Sequence, residues 1–373
     1  VEQFNKAVKL FSAGNYKKAI PEFYKLNIKE SWINLGLCYR ELGKYEQAEK
    51  CLQKARVTPF ANGGIEDDSI SLHNIGAIAY ILRNDEVASQ YFLAAYNKDK
   101  TNYEAGWNYG STRLRMFFDG KNVDLLEAWS YYDFRFKLYD LSVLHENLKL
   151  WNFVDKGNGI VLLRDQGMGD TIMFARYIKE VEKYFDTVYV QCDPSLECLF
   201  DNPYNVYSQV EYAVPMCSLG KLLDYVPNEH WLTRWNKKRD GPLKVGCVWQ
   251  GSTMHSNDKN RSCPAEYFDA LTGIEKYTFE IERPGYAYLP SSNWQDTIYN
   301  LNDLDLVITV DTAIGHMCGT LGMPCWILLP LTFSDYRWGT ESSTIWYDSV
   351  KIVKNNRNWN EVFKTVQTWI NTN

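Results

Sequence analysis

The sequence predicts a domain of α-helical repeats followed by an α/β region of two lobes, and three observations predict it. Over the first 150 residues, small residues recur among large apolar ones at a period of about 34, the spacing of stacked helical hairpins. From Gly157 onward the pattern changes to short apolar runs separated by helix-like stretches, which reads as a parallel sheet. A polar break at "TRWNKKRDGP", Thr233 to Pro242, precedes a fresh strand and divides the α/β region. The expected domains are therefore 1–150, 151–238 and 239–373.

Bulk composition agrees with several cores. The chain has 373 residues, 45% hydrophobic and 23% charged, with a formal net charge of −6. Residues 1–150 carry 20 Lys+Arg against 19 Asp+Glu, and the remainder carries 20 against 27. The acidic second half argues against sequence-independent DNA binding, which needs basic side chains to displace counterions. The nine cysteines form no C-x-x-C pair, so no zinc site is expected and reduced thiols in a cytoplasmic protein are. No apolar run reaches the length of a membrane span.

The clearest repeat is "SWINLGLCYRELGKYEQAEKCLQKA", with Trp32, Leu35, Gly36, Tyr39, Gly43, Tyr45, Ala48, Leu52 and Ala55 at its marked positions. Small residues there let two helices approach and large ones fill the groove between them, a pattern that resembles the tetratricopeptide repeat. Gly14, Tyr16, Ala19 and Phe23 supply half of an earlier copy. Leu72, Gly76, Ala88, Phe92 and Ala95 supply a later one, displaced by a loop around "ANGGIEDD", and a degenerate copy starts near Ala105 and includes Gly110. Each repeat buries its apolar face only by stacking on a neighbour, so these residues are core; the array as a whole offers a concave surface for a partner or acceptor peptide.

In the second half "GIVLLR", "TVYVQCD", "VEYAV", "KVGCVWQ", "YTFEIER", "LDLVITVD" and "PCWILLP" read as buried strands. The first leads into the turn "DQGMG" and a helix expected from Asp170 to Lys183. Gly167 and Gly169 permit tight turning and close ligand approach at a helix N-terminus, where free N–H groups favour an anion. Asp170 falls where a helix cap would fall, and spacing alone favours the cap over a catalytic base. A matching element, "LDLVITVDTAIGHMCGTLGMP", ends its strand at Asp311 and opens a helix at Thr312, Ala313 and Gly315, with His316 one turn in. Thr312 and the neighbouring amides suit a pyrophosphate with His316 donating from the same face; alternatively Asp311 caps the helix and His316 is a satisfied histidine. Between these elements the loop "VWQGSTMHSNDKNRSCP" holds Ser252, His255, Lys259 and Arg261, either a cationic clamp or a solvated loop.

These segments, with "DYRWGTESSTIWYDSVKI" and in this order, resemble the tetratricopeptide-linked glycosyltransferases related to the lipopolysaccharide heptosyltransferases. "EAWSYYDFRFK", Glu127 to Lys137, is similar to the segment such proteins place between repeats and transferase. The resemblance implies a GT-B fold: two Rossmann-like lobes, the donor held by the C-terminal lobe, the acceptor by the N-terminal one, and no required metal or cofactor. It implies that Asp170 is the base on the acceptor, that Asp311, Thr312 and His316 meet the donor phosphates, and that Lys259 or Arg261 stabilises the leaving diphosphate. Glu282 occupies the region expected to reach the donor nucleoside.

The expected function is thus inverting transfer of a sugar from a nucleotide-sugar to a hydroxyl of a glycan, lipid-linked sugar or protein, with a further protein partner possible on the repeats. Two alternatives stand beside it. One is an inactive repeat scaffold; the other is a transferase acting on hydroxymethylated DNA bases, against which the acidic second half weighs.

Overall fold

The computed structural model describes residues 2–59, 68–138, 148–205, 208–227, 230–252, 258–279, 281–330, 335–339, 342–355 and 358–372, with the backbone alone at 259 and 260. The chain separates into two compact units, Val1–Asp140 and Leu141–Asn373.

The first unit is built of helices α1 (Glu2–Ser12), α2 (Tyr16–Tyr24), α3 (Lys29–Glu41), α4 (Tyr45–Val57), α5 (Ser69–Ile81), α6 (Asp85–Lys98), α7 (Tyr103–Phe118) and α8 (Leu125–Tyr132). They pack in successive pairs, as the repeat pattern predicts. Close approach explains the small residues. A β-carbon at Gly36 would stand 2.6 Å from Ile78 Cδ1, one at Gly76 2.8 Å from the Phe92 ring, and one at Gly110 2.3 Å from the Tyr132 nitrogen. Ala48, Leu52, Ala55, Ile75, Ala88 and Phe92 form one continuous core. The segment at 127–137 forms α8 and a 3-10 turn, and buries Trp129 and Arg135. The loop around "ANGGIEDD" lies almost wholly outside the described residues.

The second unit holds two sheets. Strands β1 (Lys149–Leu150), β2 (Gly157–Leu163), β3 (Phe185–Val190) and β4 (Tyr212–Pro215) form the first, in the order β1-β4-β2-β3 and parallel throughout. Between β2 and β3 the chain makes α9 (Met168–Phe174), a 3-10 turn at Ala175–Tyr177 and α10 (Ile178–Val181). The single helix expected over 170–183 is therefore broken. Arg176 bends inward at the break, its Nε donating to the Met173 carbonyl at 2.9 Å and its Nη1 to those of Pro227 at 2.9 Å and Trp346 at 2.8 Å.

The second sheet contains β5 (Leu243–Val248), then, after α11 (Asp258–Arg261) and α12 (Glu266–Asp269), β6 (Ile274–Thr278) and β7 (Ala287–Tyr288). After α13 (Trp294–Asn302) come β8 (Leu306–Val310), α14 (Ala313–Leu321), β9 (Cys325–Pro330), β10 (Ser343–Thr344), β11 (Tyr347–Asn355) and α15 (Trp359–Thr372). The order is β10-β11-β9-β8-β5-β6-β7, with β10 alone antiparallel. Val245, Cys247, Ile308, Val310 and Leu328 bury one face against Val362, Phe363, Val366 and Ile370 of α15. Helical repeats followed by two parallel-sheet lobes are what the sequence predicts. "YTFEIER" is placed too late, since β6 ends at Thr278.

The linker around 233–242 is ordered by both lobes: Trp231 Nε1 donates to the Ile172 carbonyl at 3.1 Å, and the Trp235 amide to that of Leu321 at 2.7 Å. Among the described residues no helix is long and apolar enough to cross a membrane.

Candidate functional site

Strand order positions the site. In the first sheet the chain moves from β2 outward to β3, then returns to β4 on the other side; in the second it moves from β5 to β7, then returns to β8. Such reversals leave a crevice beyond the carboxyl ends of the central strands. The loops that follow β2, β5 and β8 all line one cavity of about 940 Å³, within the size range of small-molecule sites. Gly167, Gly169, Asp170, Ser252, Arg261, Asp311, Thr312, Ala313 and His316 all line it.

Asp170 is not the cap of its helix. Gly167 holds the cap position with extended backbone (φ −77, ψ 175), and Asp170 is the third helical residue. Its Oδ2 reaches back to accept the Gly167 amide at 2.9 Å, the half of a capping box that a glycine cap cannot reciprocate. Its Oδ1 accepts from Nη1 of Arg337, a residue far along the chain. Among the described residues each carboxylate oxygen therefore has one hydrogen-bond partner.

The turn contains two glycines, Gly167 and Gly169. Neither has a left-handed backbone. Glycine is needed at 169 because helix α14 lies against it: a β-carbon there would stand 2.6 Å from His316 Cδ2 and 3.6 Å from the Ala313 α-carbon. The close neighbour is thus the opposite lobe.

His316 is correspondingly buried, 6% exposed. Its ring stacks on Trp338 with centroids 4.8 Å apart, and its Nδ1 shares a hydrogen bond of 3.1 Å with the Tyr347 hydroxyl. Burial, and secondarily the charge of Arg176, push its pKa down to about 3. It is a neutral imidazole fixed between the lobes, able to offer a hydrogen bond but no charge at neutral pH.

Asp311 does not cap α14. Thr312 holds that position, and its Oγ1 shares a hydrogen bond of 2.8 Å with Thr309 Oγ1 while making no capping bond. The Asp311 carboxylate accepts from Trp338 Nε1 at 3.0 Å, which ties the turn carrying Arg337 to the end of β8. Thr312, Ala313 and Ile314, where α14 opens, line the cavity, which suits a phosphate.

Arg261 lies flat across Gly251, where a β-carbon would come 2.4 Å from Nη2. Its Nη1 donates to the Asp311 carbonyl at 3.2 Å, its Nη2 to that of Ser252 at 3.3 Å, and its Nε to Asp258 Oδ1 at 3.3 Å. It bridges the loops after β5 and β8. His255 and the Lys259 side chain lie outside the described residues. Glu282 is exposed and does not line the cavity; its neighbours Phe279 and Ile281 do, and with Val248, Trp249 and Trp294 they make an apolar wall. The early end of β6 is the reason, since Glu282 falls in the loop beyond the strand.

The run "DYRWG" carries a site residue that has no periodic or motif signal in the sequence, Arg337. Arg337 is 8% exposed, and its Nε and Nη2 each donate at 2.7 Å to the two oxygens of Asp335. Only the bulky, polar character of that run hinted at a site.

The helical unit has a cavity of its own, about 730 Å³, lined among others by Arg40, His73, Asn74, Asn102 and Asn108. Asn108 Nδ2 and His73 Nε2 are 2.9 Å apart, and burial lowers the pKa of that histidine.

The tetratricopeptide repeat family matches residues 30–56, within α3 and α4. No curated protein matches the chain. Among solved structures, the C-terminal part of a TPR repeat-containing protein from Cytophaga hutchinsonii is 27% identical, over 35% of this chain and 50% of its own, with a TM-score of 0.29. The pilF protein of Pseudomonas aeruginosa is 18% identical over 37% of this chain and 60% of its own, at a TM-score of 0.30. An O-GlcNAc transferase mutant from Thermobaculum terrenum is 13% identical over 98% of this chain and 88% of its own, at 0.35. The chain thus spans half the length of the Cytophaga structure. At these TM-scores none of the three bears on what the chain does.

Proposed function

We propose that the chain is a glycosyltransferase that moves a sugar from a nucleotide-sugar to a hydroxyl acceptor with inversion, Asp170 acting as base. One observation carries the reading: the loops after β2, β5 and β8 bring Asp170, the opening turn of α14 and Arg261 around a single cavity at two topological switch points. In the proposed step the acceptor oxygen attacks the anomeric carbon and gives its proton to Asp170. The bond from that carbon to the diphosphate breaks, and its electron pair leaves with the nucleoside diphosphate. The opening turn of α14 and Arg261 meet the charge that develops there, with His316 contributing its imidazole as a neutral group. The apolar wall of Trp249, Phe279, Ile281 and Trp294 suits a nucleobase, the part assigned at first to Glu282. For Lys259 the proposal is a further cation at the diphosphate, and for Ser252 a backbone that holds Arg261 in place.

The groove of the repeat unit is proposed to hold a protein partner or acceptor segment, since asparagine side chains and Arg40 can pair with an extended backbone. The test of the main reading is calorimetry with a panel of nucleoside diphosphates and nucleotide-sugars. Binding of at least one is expected, and binding of none favours a scaffold without catalysis.

A further inference from the structure

Arg337 is held as a fork between two aspartates. Nε and Nη2 take both oxygens of Asp335 at 2.7 Å, and the Arg337 amide adds a bond to Asp335 Oδ1 at 2.9 Å. Nη1 is the arm that reaches across to Asp170 Oδ1. The turn that carries it is fixed on the donor side of the cavity, by Trp338 Nε1 on Asp311 at 3.0 Å and by the stacking of Trp338 on His316. Arg337 therefore belongs mechanically to the lobe of α14 while its Nη1 pairs with a carboxylate of the other lobe.

Asp170, Asp311 and Asp335 line the same cavity as Arg337, with Arg164 and Arg261 beside them. A diphosphate entering beside α14 would offer Nη1 a second charged acceptor, carrying more total charge than the single carboxylate of Asp170. Asp170 would not drift when Nη1 leaves, because its Oδ2 remains on the Gly167 amide at 2.9 Å.

We propose that Nη1 of Arg337 is exchanged between Asp170 and the diphosphate of the donor, so that donor binding frees Oδ1 of Asp170 to take the acceptor's proton. The inference rests on the glycosyl-transfer reading above. It makes Arg337 a residue that orders the reaction, donor before acceptor. In the transfer step the acceptor oxygen bonds to the anomeric carbon and its proton goes to Asp170 Oδ1. The carbon–oxygen bond to the diphosphate breaks, and the pair it releases stays on the phosphate oxygen that Nη1 now contacts.

The experiment is a double-mutant cycle on binding of uridine, guanosine and adenosine diphosphate to the full chain, by calorimetry at fixed pH and salt. Removing the competitor, Asp170→Asn, is expected to tighten the bound nucleotide about fivefold or more, and Arg337→Gln to weaken it about tenfold or more, as for a charge-assisted contact. The decisive term is the double variant, in which the gain from Asp170→Asn should vanish. A gain undiminished without Arg337 would mean only a general field effect and would overturn the exchange, as would an Asp170→Asn variant with unchanged affinity. If Arg337→Gln proves unfolded in a thermal melt, Arg337→Lys, which keeps charge but not the fork, should shrink the gain. Should the wild type bind none of the three nucleotides, the glycosyl-transfer reading falls and the exchange with it; should it bind one while Asp170→Asn changes nothing, the exchange alone falls.

Discussion

The α-carbon of Gly169 faces the edge of the His316 imidazole so closely that a β-carbon there would stand 2.6 Å from Cδ2 and 3.3 Å from Nε2. The turn after β2 and the helix after β8 are thus in direct contact, and the walls of the cavity meet at this point. Gly169→Ala has to push α9 away from α14. It should cost about 1–3 kcal/mol, the usual penalty of overpacking, read as a lowered urea midpoint, and an unchanged midpoint would contradict the close approach.

The state of His316 gives a dependence on pH with a definite sign. In the unfolded chain the imidazole takes up a proton as pH falls through its ordinary value near 6.5, whereas in the folded protein burial holds it neutral down to about 3. Below pH 6.5 the unfolded state binds more protons, so stability contributed by this site is lost as pH falls, by about 1.4 kcal/mol per unit. Unfolding free energies of the wild type and His316→Gln, measured between pH 7.5 and 4.5, should converge as pH falls. Parallel curves would show that His316 is not held neutral.

Arg176 joins the segments around α9, the linker and β11 through three carbonyls, and its guanidinium lies over the Tyr347 ring at 4.8 Å. Arg176→Met keeps much of the volume and removes every donor. Loss of about 2–4 kcal/mol is expected, because buried carbonyls are left without their charged partner, and the fluorescence of Trp346 should shift with it. Equal stability of the two proteins would refute the pinning role.

Two residues proposed from sequence for the donor should now part company. Arg261→Ala removes a side chain that lines the cavity and should weaken nucleotide binding about tenfold, the scale of one charge-assisted contact. Glu282→Ala changes an exposed side chain outside the lining and should leave the affinity unaltered. Calorimetry on both variants checks the pair of expectations at once.

How much of this was legible depended on whether the determinant was local. Gly36, Gly76 and Gly110 announced their helix contacts by period alone, and buried strands such as Leu306–Val310 announced themselves by unbroken apolar character. The break in the helix over 170–183 had no glycine or proline to mark it; it follows from carbonyls of Pro227 and Trp346 that sequence cannot bring near Arg176. Asp170 was found, but its place at the third helical position was not, since telling a cap from a third residue needs the backbone angles of Gly167. Arg337 was missed for a related reason. Its partner in the other lobe is 167 residues away, and a short polar run carries no period from which that salt bridge could be read.

The central claim is that Asp170 takes the acceptor's proton in a nucleotide-sugar reaction. It is tested most directly by offering a panel of nucleotide-sugars with candidate acceptors to wild-type protein and Asp170→Asn, and measuring release of nucleoside diphosphate. The account predicts that the wild type consumes at least one donor, and that Asp170→Asn binds that donor yet releases the diphosphate at least about a hundredfold more slowly, the usual loss when a general base is removed. Release by Asp170→Asn at the wild-type rate would contradict it.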